Sequence, residues 1–118
     1  MSIAANLVIA VVALLHVWFL ILEMFLWDKP SGRRAFGLTA EFAAQSKVLA
    51  ANQGLYNGFL AAGLCWGLWL GRDGIDIKLF FLGCVLIAGL FGGLTASRKI
   101  LVIQALPALL GLVLVLLT

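Results

Sequence analysis

The stretch IAANLVIAVVALLHVWFLILEMFLW, residues 3–27, decides the fold: it is almost wholly apolar and contains one charged residue, Glu23. A helix that spans a bilayer needs about 20 mainly apolar residues, so 3–27 is read as a transmembrane helix. It is too long for a signal-peptide core, and no Lys or Arg precedes it, so cleavage is not expected. Moving outward, Val48–Leu70, Leu79–Ala96 and Ile100–Leu117 are further apolar runs of membrane-spanning character. Across all 118 residues, 64% are hydrophobic and 11% charged, with a mean hydropathy of +1.18. Soluble domains average about 45–50% apolar and 25% charged, and a chain this short cannot hide the excess in a core. Soluble enzymes, nucleic-acid binders and disordered tails are thereby excluded. The expected architecture is all-α: a polytopic membrane protein forming an antiparallel four-transmembrane-helix bundle, with residues 1–118 as one domain.

The formal charge of +3 is a topology signal before it is a binding signal. Lys29, Arg33, Arg34 and Lys47 lie in the first connection and Arg98 and Lys99 in the third, against Arg72 and Lys78 in the second. Six against two places the first and third connections in the cytoplasm and both termini outside. The expected location is the bacterial cytoplasmic (inner) membrane. Within the first connection, Asp28-Lys29-Pro30-Ser31-Gly32 reads as a helix stop and turn. Thr39 then caps a second helix whose first turn holds Glu41.

Polar residues inside apolar runs carry the most information, because each costs free energy unless paired or solvated. His16 and Glu23 share a face of the first span. Gln45, Asn52, Gln53, Tyr56 and Asn57 form an arc on the second, and Thr95 and Gln104 lie near the same membrane side on the third and fourth. Glu23, Asn52 and Gln104 each stand five residues from a cytoplasmic-side charge, which at 1.5 Å rise per residue is roughly 7–8 Å deep. His16, Glu23, Asn52, Gln53, Tyr56, Asn57 and Gln104 are therefore taken as one ligand-binding layer. Glu23 is expected to be neutral at rest, donating a hydrogen bond to Asn52, Gln53 or Gln104. Gly63, Gly67 and Gly71 form a small-xxx-small ladder, expected to pack on Gly89 and Gly93 of the third span. Pro107 should open the last helix near Ile103. Cys65 and Cys84 match no metal-ligand spacing, and no cofactor is expected.

Several pieces occur together in one known pattern: LH at Leu15-His16, LEMFLW at Leu22–Trp27, NQGLYN at Asn52–Asn57, AGLFGG at Ala88–Gly93 and RKILVIQALPA at Arg98–Ala108. In their order and spacing they resemble the small bacterial membrane proteins catalogued as domain of unknown function 1304. That resemblance implies a four-helix protein of the bacterial cytoplasmic membrane and supplies no activity. Lys47 and Asn52 loosely resemble an Arg…Asn…Glu pattern of the membrane-associated eicosanoid and glutathione enzymes. Leu55 stands where their acidic residue belongs, so no catalytic role is carried over.

Three functions compete on this sequence. The first is binding or transport of a small amphipathic molecule, lipid or proton, with the basic residues of the cytoplasmic side attracting an anionic headgroup. The second is an enzyme acting on a lipophilic substrate with Glu23 and His16 as acid and base; no nucleophile motif, phosphate loop or metal site specifies a reaction. The third is an accessory subunit whose polar residues only fix helix packing. The partners these readings admit are membrane lipid, a small amphipathic ligand and a second copy of the chain, and not nucleic acid.

Overall fold

A computed structural model describes residues 2–118 as all-α, with no strand among them. The helices are α1 (Ile3–Met24), α2 (Pro30–Phe36), α3 (Ala40–Leu70), α4 (Ile75–Thr95) and α5 (Leu106–Leu116). A 3-10 turn (Gly71–Gly74) joins α3 to α4, and a π-helical segment (Leu101–Ala105) leads into α5. Two apolar stretches, Ile3–Met24 and Ala40–Thr95, are long enough to cross a membrane by length and composition, and Leu101–Leu116 is a shorter one. The chain forms two compact units, residues 15–59 and residues 1–14 with 60–118.

In the 15–59 unit, the turn expected at residues 28–32 lies three residues earlier, at 25–29: the first helix stops at Met24 instead of reaching Trp27, and Pro30 starts a helix rather than ending one. Pro lacks the N–H that a first-turn position leaves unbonded anyway, and its φ is preset; it stands in the first turn of α2. That helix ends at Gly37, whose φ of +66° is left-handed and suits glycine. Gly32 lets α2 fold back on the end of α1, since a Cβ there would run into the Leu26 carbonyl. Thr39 caps α3 as expected: its Oγ1 accepts from the Phe42 N–H at 3.1 Å, and Glu41 lies in the first turn. Trp27 Nε1 donates to Ser46 Oγ at 3.0 Å, and its ring packs 4.8 Å from Phe36. Lys47 and Asp28 pair at 3.1 Å, and Lys47 holds the Asp28 carboxyl below the usual carboxylate range. Contacts run from residue 27 through 23 to 20 on one side and from 46 through 53 to 58 on the other. Here α1 and α3 are therefore antiparallel.

The other unit has the larger apolar core, built from Ala5, Ile9, Val12, Ala13, Leu64, Leu82, Val85, Ala108 and Val115. Small side chains dominate it, so backbones come close and dispersion contacts accumulate. Gly63 faces the Phe81 ring, and a Cβ at Gly67 would stand 2.8 Å from Lys78 Cγ and 3.3 Å from its backbone N. The ladder differs from expectation at both ends. Gly71 meets nothing within 4 Å and instead takes φ +63° where α3 stops. Gly89 and Gly93 face Ala105 and Leu101 of the last helical stretch, not the α3 ladder. We expect Gly67→Leu to lower stability by roughly 1–3 kcal/mol through overpacking, and by more than Leu68→Ala, because Leu68 is only partly buried. Equal denaturation midpoints in detergent would remove this account.

Lys78 is the main departure from the sequence reading. The sequence reading places it in the second connection, yet it lies one turn inside α4 and is 0% exposed. Its Nζ donates to Asn6 Oδ1 at 3.1 Å and to the Gly71 carbonyl at 3.3 Å. The second bond satisfies a carbonyl at the end of α3, where the helix dipole favours a cation. Near Ile103 the helix opens as Pro107 requires: Leu106 N–H bonds the Leu101 carbonyl, five residues back.

Candidate functional site

Glu23 sits one residue before the end of α1 and is 3% exposed. Its Oε2 accepts from Gln53 Nε2 at 2.8 Å, and its Oε1 accepts from Asn57 Nδ2. Gln53 and Asn57 are four apart on α3, hence stacked on one face, and each supplies one amide to one carboxyl oxygen. Gly54, between them, brings the helices close enough for this. A Cβ there would stand 2.6 Å from Met24 Cγ, 3.1 Å from Glu23 Cβ and 3.2 Å from the Leu20 carbonyl. A Cβ at Gly58, one turn on, would stand 2.7 Å from Leu20 Cδ1. The two glycines form a small-xxx-small pair beside the polar arc. The spacing of Gly54 and Gly58 is legible in the sequence, but the sequence reading assigns the small-xxx-small role to Gly63, Gly67 and Gly71 alone.

The bonds run opposite to the expected direction: Glu23 accepts from both neighbours. Four lone-pair positions on a carboxylate match two amide N–H₂ groups without strain. Among the described residues no cation pairs with it, and Lys47 pairs with Asp28 instead. Gln53 is exposed and Asn57 half-buried, so the carboxyl is covered on one side by a surface amide.

The remaining residues of the expected layer are placed differently. His16 is 0% exposed and meets Phe19 edge-on, with ring centroids 5.2 Å apart. Asn52 and Tyr56 lie on the outer flank of α3, Tyr56 54% exposed with its ring 6.1 Å from Phe59. Gln104 is partly buried within the π-helical segment of the other compact unit. The structure thus brings Glu23, Gln53 and Asn57 into direct contact. Neighbours on a helix differ by about 100°, which is why Gln53 faces α1 and Asn52 does not.

A membrane-length apolar helix with a buried carboxyl, held by two amides of a second such helix, defines the class: a small all-α protein with an interhelical polar clamp. The chain belongs to the family described as "Protein of unknown function (DUF1304)", whose pattern matches residues 10–116. It is similar to the "Uncharacterized protein YpaA" of Lactococcus lactis subsp. lactis (strain IL1403), at 30% identity over 115 residues, covering 96% of this chain and 97% of that protein. No solved structure matches it.

Proposed function

We propose that this protein is a polytopic protein of the bacterial cytoplasmic membrane that binds a small amphipathic molecule at Glu23. The membrane part of the reading is supported by where the apolar surface lies. Only 33% and 28% of the two membrane-length windows are buried, whereas a soluble protein's core helix is mostly buried. Leu14, Phe91, Leu94 and Leu116 are all largely exposed, and so much exposed apolar surface requires lipid or a partner. On this reading the apolar runs form an antiparallel four-helix bundle, with the connections at 28–39 and 96–100 in the cytoplasm and both termini outside.

The topology is tested by labelling single cysteines in a background lacking Cys65 and Cys84. Ser31→Cys and Ser97→Cys should react only from the cytoplasmic side, and Asp73→Cys only from outside; all three positions are exposed. Gly74, also in the second connection, is unsuitable because a Cβ there would strike the Gly67 carbonyl. The reverse labelling pattern would overturn the orientation.

One observation carries the binding part: a nearly inaccessible carboxyl has two neutral amides for partners, one of them on the exposed residue Gln53. Rotation of the Gln53 side chain uncovers Oε2 from the flank that bears Asn52 and Tyr56. A ligand with a hydrogen-bond donor or a protonated amine takes over that oxygen, while its apolar part remains among lipid and exposed α3 side chains. Ionisable groups within spans are functional by default. That each Glu23 oxygen already has a partner favours a second reading, an interhelical fastening of an accessory subunit. Native mass spectrometry from lipid nanodiscs separates the two. A retained small molecule that is lost in Glu23→Gln supports binding, and a clean wild-type spectrum supports the fastening.

A further inference from the structure

An open depression of about 310 Å³ lies against α2, lined by Pro30, Arg33, Arg34, Gly37 and Leu38. Two of its lining residues are arginines and none is acidic. The nearest acid in sequence, Asp28, is already engaged by Lys47 at 3.1 Å, and among the described residues neither arginine forms an ion pair. Arg33 Nε is buried without a hydrogen-bond partner. An unbonded donor on a charged group is costly, so the protein leaves this guanidinium short of an acceptor. Apolar side chains border the charge: Leu38 lines the depression, and Phe36, 40% exposed, closes α2 and packs on Trp27. Cationic groups beside aromatic and aliphatic ones are the composition of a segment lying at the headgroup boundary.

We propose that this depression binds the phosphate of an anionic membrane lipid. Arg33 and Arg34 present planar forks of N–H donors, which suit phosphate oxygens better than a point charge does. The phosphate oxygens accept from the accessible N–H groups of the two forks, and Phe36 and Leu38 lie along the upper acyl chains. The site is narrower than the basic rim suggested by the sequence: Lys47 is excluded by its bond to Asp28. The proposal rests on the reading that the chain spans a membrane with this connection in the cytoplasm.

The full chain is reconstituted in nanodiscs of phosphatidylcholine with a minority of phosphatidylglycerol, and retained lipid is measured by native mass spectrometry. Wild type should retain phosphatidylglycerol selectively. Arg33→Gln/Arg34→Gln should weaken this about thirtyfold, near fivefold for each basic residue at an anionic surface. Arg34→Gln alone, at an exposed position, should give about the single step and keeps the test informative if the double variant folds poorly. Arg98→Gln/Lys99→Gln, which removes the same charge from the other basic connection, should weaken retention far less. Equal losses in the two double variants, or no loss in the first, would overturn the proposal. Release of the lipid from wild type by inorganic phosphate in the low millimolar range would assign the depression to free anions and overturn it likewise. A wild-type chain that fails to enter nanodiscs at all overturns the membrane reading, and this proposal with it.

Discussion

Glu23→Leu is expected to destabilise the protein by roughly 2–4 kcal/mol, at about 1–2 kcal/mol for each of two interhelical hydrogen bonds. The change removes the acceptor of both Gln53 and Asn57. The half-buried Asn57 amide is then left without a partner, a cost in itself. Glu23→Gln should lose no more than about 1 kcal/mol. One neighbouring amide can turn over to offer its carbonyl to the new N–H₂, since Asn and Gln both donate and accept. Between the partners, Asn57→Leu should cost more than Gln53→Leu, because Gln53 is exposed and finds other partners. Denaturant unfolding in micelles, followed by tryptophan fluorescence, gives the comparison. If Glu23→Gln proved as damaging as Glu23→Leu, charge rather than hydrogen bonding would hold the helices, and the amide clamp would be the wrong description.

Gly89→Ala should be strongly damaging, because the methyl meets backbone rather than a movable side chain. The new Cβ would stand 2.6 Å from the Ala105 backbone N, 2.8 Å from its Cα and 2.9 Å from its Cβ. None of these atoms can rotate aside, so the backbones must separate or the helix must shift. Such overpacking costs about 1–3 kcal/mol or more. Gly83→Ala on the same helix is the control: nothing lies within 4 Å of its Cβ, and replacing helical glycine by alanine gains up to about 1 kcal/mol. Opposite signs of the two stability changes are expected. Matching signs would mean that the contact of α4 with the 101–105 segment is looser than described.

Much of this was legible in the residues because local chemistry dictated it. Thr39 caps because its hydroxyl sits three residues before an otherwise unbonded N–H, and Pro107 widens the helix because it has no N–H to give. The depth estimate put Glu23 level with Asn52, one residue from its partner Gln53, and could not say which neighbour turned inward. Reading the glycines failed differently. A small-xxx-small spacing says that something approaches closely and does not say what, so Gly89 and Gly93 were paired with the wrong helix. Lys78 was misread because a charge beside Arg72, Asp73 and Asp76 looks like loop. Only the acceptors at Asn6 and Gly71, one of them 72 residues away, show that it belongs inside.

That lysine also implies an order of events. The bond to Gly71 closes across seven residues, which a nascent α3–α4 hairpin achieves as soon as its turn forms. The bond to Asn6 joins positions 72 residues apart, and the entropy of closing a loop grows with its length. The ammonium is therefore half-covered early and fully covered only when the first helix docks. In kinetic terms, Asn6 should act after the rate-limiting step, slowing unfolding without hastening folding. The buried charge then works as a latch whose release is the first step of coming apart.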